Sequence, residues 1–245
     1  MQKFQFKKYL SLTIAMCFIY IHFVEATPPK DLLASGDSLF KSGKYTESFQ
    51  EYQTLLEIYE QYTPQMLLKM AFIKEGLGDY TNTLYYLNLY FLEKADRDVI
   101  QKITTLATEH NLNGYKMSDN EYFSALFRQY YFYVFGGFLA ISLLLLFMMI
   151  LKNKKQKEAL APGLLLLTLT AIFFFTGNIF LNQDKAIIAK NNTLMMNAPS
   201  AGASLLKKLK SGHRVEILDK EDIWYKVSLN NREGYIRDSQ LLLIK

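Results

Sequence analysis

The sequence predicts a multi-domain membrane protein: an all-α region of helical hairpins, a two-helix transmembrane hairpin, and a small all-β barrel. Three observations predict it. A motif recurs in the N-terminal third, with Gly43 and Gly78 falling 35 positions apart. Two long apolar runs, joined by a lysine-rich stretch, occupy the middle. After Lys185 the apolar residues switch to short alternating runs broken by turn residues, which is the pattern of strands.

Composition supports this division. Half of the 245 residues are hydrophobic and 21% are charged, and the apolar residues are clustered, which points to lipid as a solvent for part of the chain. The net charge of +5 is no nucleic-acid footprint. Much of it comes from Lys3, Lys7 and Lys8 and from Lys152, Lys154, Lys155 and Lys157, all beside apolar segments. Lysines there set membrane orientation rather than contact phosphates. The single cysteine, Cys17, excludes an internal disulfide.

Residues 1–26 have the layout of a signal peptide: a basic leader, an apolar stretch over 9–24, and Val24-Glu25-Ala26 before the polar Thr27-Pro28-Pro29. The alternative is an uncleaved anchor, because Tyr20, His22 and Phe23 extend the apolar run. Lipid attachment at Cys17 is disfavoured by Met16 before it and Phe18-Ile19-Tyr20-Ile21 after it.

Residues 27–110 read as helices punctuated by Gly43, Pro64, Gly76 and Gly78. Leu32, Gly36, Gly43, Tyr45, Ser48 and Tyr52 recur as Leu67, Ala71, Gly78, Tyr80, Thr83 and Leu87. Small residues at Gly36/Ala71 and Ser48/Thr83 let two helices approach, and Gly43 and Gly78 supply the left-handed turn between them. This pattern resembles the tetratricopeptide repeat over residues 30–94. It departs from that family at Pro64, which comes late, and at Lys74, where an apolar residue is usual. Residues 97–110 look like a capping helix. The resemblance implies a concave surface carrying Leu33, Asp37, Phe40, Lys41, Leu68, Phe72 and Glu75. The competing reading is that several of these only pack or are solvated.

Residues 111–130 form a polar and aromatic juxtamembrane connector ending in a short interfacial helix. Residues 131–151 and 160–181 are transmembrane helices, since an uninterrupted apolar circumference of that length does not suit a soluble helix. Tyr130, Tyr131 and Tyr133 fit one membrane interface, and the basic loop 152–159 fits the cytoplasmic side. Both folded ends are then periplasmic, in agreement with the signal peptide. Gly136 and Ala140 are a small-xxx-small pair that would permit close helix approach.

Residues 185–245 show strands at 186–189, 215–218, 224–229 and 234–236, separated by Asn191-Asn192, Pro199-Ser200, Ser211-Gly212 and Asn230-Asn231. Pro199, Leu206, Leu209, Gly212, Val215, Ile217, Trp224, Tyr225, Val227, Gly234, Tyr235, Ile236 and Leu241 resemble the bacterial SH3-like domain over residues 186–244. Trp224, the one tryptophan, has two readings: it fills the core, or it walls a peptide or glycan groove together with Tyr235. Lys207, Lys208 and Lys210 suit either a solvated loop or contact with an anionic polymer.

No enzyme constellation is present in the sequence, so neither catalysis nor a cofactor or metal is expected. His22, His110 and His213 lack metal-ligand spacing, and no nucleophile elbow, Walker loop or dinucleotide motif occurs. The whole arrangement is similar to the BatE-type membrane proteins of aerotolerance operons. That resemblance implies an inner-membrane scaffold in an envelope-stress or oxidative-stress assembly, with von Willebrand A domain Bat proteins as partners. The alternative is a sensor whose SH3-like domain binds peptidoglycan.

Overall fold

The computed structural model describes residues 30–154, 160–181 and 184–244. The signal peptide and Lys155 and Lys157 of the basic loop lie outside the described residues. The chain divides into two compact units, Met1–Tyr62 and Thr63–Lys245.

The first unit is a helical hairpin of α1 (Lys30–Lys41) and α2 (Tyr45–Glu57). Gly36 is where the helices meet. A Cβ there would lie 2.6 Å from the buried Tyr52 ring, so only glycine fits without movement. Ser48 donates its hydroxyl to the Gly36 carbonyl at 2.8 Å, and the Tyr52 hydroxyl donates to Asp37 at 2.6 Å. Burial and the neighbouring Asp37 push the Tyr52 phenol above its ordinary range. Between the helices, Gly43 takes φ +75°, while the Gly43 and Lys44 amides close onto the Phe40 and Leu39 carbonyls. This Schellman closure satisfies carbonyls that the helix end leaves open. The Tyr45 ring then packs edge-on against Phe40 at 5.3 Å.

The second unit begins with the corresponding hairpin, α3 (Pro64–Gly76) and α4 (Tyr80–Glu93). Thr63 caps α3, with Pro64 at its first position, and Asp79 caps α4. Gly78 takes φ +71° with the same closure, through amides at Gly78 and Asp79. Helix α5 (Arg97–Glu109) follows and packs on α4 through Val99, Ile103, Leu106 and Ala107. The Tyr80 ring stacks on His110 at 3.7 Å. Helix α4 is buried along Thr83, Leu84 and every residue from Tyr86 to Phe91. Its surroundings explain this, because α3, α5, helix α6 and two strands of the sheet all pack on it.

A strap over residues 110–118 leads to α6 (Asp119–Gln129), capped by Ser118. Tyr130 alone separates α6 from α7 (Tyr131–Lys154), and α8 (Leu160–Leu181) follows. Segments of 22 and 19 residues in α7 and α8 are long and apolar enough to cross a membrane. Phe138 stacks on Phe173 at 4.4 Å, and Gly163 faces Met149. Those pairs run in opposite numerical order, so the two helices are antiparallel. Gly136 has open space where a Cβ would stand, so it is not the place where α7 meets α8.

Seven antiparallel strands form the C-terminal sheet in the order β3-β2-β6-β5-β4-β1-β7. They are β1 (Lys185–Ile188), β2 (Thr193–Met196), β3 (Leu205–Leu209), β4 (Arg214–Glu221), β5 (Trp224–Leu229), β6 (Arg232–Arg237) and β7 (Leu241–Ile244). Every strand contributes to one core of Ala186, Ile188, Met195, Leu209, Val215, Tyr225, Val227, Leu229, Ile236 and Leu241. The sheet therefore curls around that core as a small barrel. Three of these strands, β2, β3 and β7, are not among those expected from sequence. β3 is an edge strand with only Leu209 buried, so it shows no alternation to read.

Candidate functional site

The residues around Trp224 form a groove on the outside of the barrel. Along β5 the side chains alternate, and Tyr225, Val227 and Leu229 face the core. Trp224 therefore points the other way. It is 8% exposed and yet stands outside the core cluster. Of its two readings, the period of two favours the groove wall, because it puts position 224 on the opposite face from position 225, although the ring itself is buried. Its cover is local. Arg237, its cross-strand partner, holds its guanidinium carbon 5.1 Å from the ring centroid, a stabilising cation–π contact. Leu194 and Met196 of β2, with Ala201, Asn192 and Gln240, line the remaining walls of a cavity of about 250 Å³. One aromatic wall, three apolar side chains, one cation and two amides suit an extended peptide or a glycan.

Tyr235 stands on the same outer face, paired with Lys226 and Met196, but does not line the groove. Its hydroxyl donates to Glu221 at 3.2 Å. Lys207 and Lys208 lie exposed on the edge strand β3, and Lys210 just beyond it.

A second constellation, which the sequence reading missed, is built on Arg214 at the start of β4. Arg214 is 3% exposed and surrounded by partners. Its guanidinium donates to Glu121 of α6 at 2.7 and 3.3 Å, to Asn88 of α4 at 3.0 Å and to the Gly114 carbonyl at 2.8 Å. Glu121 also receives the ammonium of Lys185 at 2.7 Å. Tyr115 lies under the Arg214 guanidinium at 5.0 Å and donates its hydroxyl to the Gly212 carbonyl at 2.7 Å. The Asn113 amide donates to His213 Nδ1 at 2.9 Å, and the Arg214 amide donates to the Asn113 carbonyl at 3.0 Å. Burial, then repulsion from Arg214, lowers the Lys185 ammonium below its ordinary value despite the opposing pull of Glu121. Burial, helped by Lys207 and Lys210, likewise holds His213 below 6.5. The one sequence signal was Asn88, a polar residue on a helix whose neighbouring positions are apolar; Glu121 follows the polar Asp119 and Asn120 and gave no such signal. Its only motif is the capping-box spacing Ser118-x-x-Glu121, which marks a helix start and not a buried ion pair.

The expected repeat-surface residues lie as follows. In the first unit Leu33 is half-buried, Asp37 is taken up by Tyr52, Phe40 packs on Tyr45, and Lys41 is exposed. In the second unit Leu68 is half-buried, Phe72 is 55% exposed, and Glu75 pairs with Lys102 of α5. Asp37, Phe40 and Glu75 thus have structural partners within their own units.

Residues 197–242 match the family model of the bacterial SH3 domain. The match takes in β3 to β6 and the start of β7, with Trp224, Arg237 and Gln240 of the groove. β1 and β2, which carry Lys185, Leu194 and Met196, precede it. No curated protein and no solved structure matches the chain.

Proposed function

We propose that this chain is a non-enzymatic scaffold or adaptor of the bacterial inner membrane, with its folded ends in the periplasm. In this reading α7 and α8 cross the lipid, and the two hairpins act as tetratricopeptide-type repeats that hold protein partners. The SH3-type barrel offers the Trp224 groove to an extended segment of a membrane-associated partner. The resemblance to BatE-type proteins suggests von Willebrand A domain Bat proteins for that role, in an aerotolerance or envelope-stress assembly. The observation that carries the proposal is that the sole tryptophan, buried but outside the main core cluster of the barrel, lines the groove.

The same observation, with the bacterial SH3 match, favours a second reading in which the groove takes peptidoglycan. The full chain in detergent separates the two. A photoreactive side chain at Leu194 captures a membrane-associated protein in cells under the first reading, and Trp224→Ala abolishes the capture. Co-sedimentation with purified sacculi that is lost in Trp224→Ala selects the second. If Trp224→Ala alters neither readout, the groove is not the binding site. The isolated fragment 185–245 is a poor probe, because it would expose Arg214 and Lys185 without their Glu121 partner.

A further inference from the structure

The Arg214 network lies where four parts of the second unit converge. Glu121 sits on α6, which runs through Tyr130 directly into α7. Lys185 opens β1, a few residues after α8 ends at Leu181. Arg214 belongs to the barrel and Asn88 to the second hairpin. One carboxylate therefore bridges the segment entering α7, the segment leaving α8, and the barrel. The three charged side chains are 2%, 11% and 14% exposed, for Arg214, Glu121 and Lys185. At that burial an ion pair has steep geometric demands and cannot drift as a surface pair does. The strap adds a second tie: Gly114, at φ +90°, lets its backbone pass where a Cβ would lie only 1.8 Å from the Arg214 carbonyl oxygen. A barrel on a free tether would need none of this.

We propose that Glu121, Arg214 and Lys185 form a three-way clasp that makes the barrel and the adjoining ends of α7 and α8 one mechanical unit, so that barrel position and helix-pair geometry change together. The clasp deepens the scaffold reading, and it rests on that reading only in taking α7 and α8 to span lipid. β1 joins the groove to the clasp over a short distance, since the Ala189 amide just past its far end donates to the carbonyl of the groove residue Gln240 at 2.8 Å.

The test uses the full chain in nanodiscs with Cys17→Ser, so that introduced thiols are the only ones. One cysteine pair replaces Phe138 and Phe173, nearer the clasp, and a second replaces Met149 and Gly163, farther along the hairpin. A short bifunctional thiol reagent gives the crosslinking rate at each. Glu121→Gln is expected to change the rate at the near pair by about twofold or more, the low end for coupled sites, and to leave the far pair and the Trp224 emission unaltered. Lys185→Met, which leaves the Arg214–Glu121 pair in place, must shift the near pair in the same direction. An unchanged near pair in both variants overturns the clasp. Should Glu121→Gln disturb Trp224 emission, Lys185→Met alone decides. Alkaline extraction of the parent chain checks the spans independently. Its failure would remove the membrane reading, and the crosslinking comparison would then be read in detergent.

Discussion

Removing the carboxylate of Glu121 should be among the costliest single changes in the second unit. Glu121→Leu leaves Arg214 and Lys185, two like charges with side chains 2% and 14% exposed, without their shared counter-ion. It also deletes acceptors for hydrogen bonds at 2.7, 3.3 and 2.7 Å. Breaking a buried pair in this way costs about 3–5 kcal/mol. Arg214→Met should cost less, because Glu121 keeps Lys185 and methionine fills part of the guanidinium volume. Once Arg214 is methionine, Glu121→Leu strands only Lys185, at about 1–3 kcal/mol. The double-mutant cycle should therefore return a coupling of about 2 kcal/mol. Urea unfolding of the full chain, followed by Trp224 emission as the barrel's own reporter, measures all four corners. A coupling below about 0.5 kcal/mol, or a Glu121→Leu variant that unfolds with the parent, would show that these charges are solvated and that the reasoning is wrong.

Three further outcomes follow from particular residues. Trp224→Ala, outside the core, should destabilise the barrel less than Ile236→Ala, a fully buried core change costing about 2–5 kcal/mol; urea midpoints in the opposite order would refute the groove assignment. Gly114→Ala must displace the strap, since its Cβ meets a backbone oxygen, whereas Gly43→Ala meets nothing within 4 Å and carries only the left-handed strain of about 1 kcal/mol; hydrogen exchange at the Arg214 amide should quicken in the first variant and not in the second. His213 accepts the Asn113 amide on Nδ1 and so is needed neutral, with its folded pKa held below 6.5. The unfolded chain then binds the proton first, so stability is full above about pH 6.5 and falls as pH drops toward the lower folded value. Thermal melts from pH 7.5 to 5 should show that loss, and His213→Asn should remove it.

The hairpin turns, the apolar spans and most of the central strands could be read from the amino-acid order, because each is governed by neighbours in the chain. Gly43 and Gly78 announce left-handed turns, the circumference of α7 announces a helix long and apolar enough to cross a membrane, and the run from Trp224 to Leu229 announces a strand. β3 escaped because an edge strand buries too little to leave a period. Trp224 was left with two readings for a different reason: size favours the core, but alternation within the strand decides the face, and only the register of Tyr225 and Val227 against the core shows which face that is.

The Arg214 clasp lay beyond any local reading. Asn88, Glu121, Lys185 and Arg214 come from four separate elements, and each looks like an ordinary polar residue in its own surroundings. Their meaning comes from desolvation, which no residue can express until α4, α6, β1 and β4 close around it. Chain order determined most of the elements and which of them are apolar all round. Tertiary packing decided which charges lose water together, and therefore which of them hold the barrel to the helices.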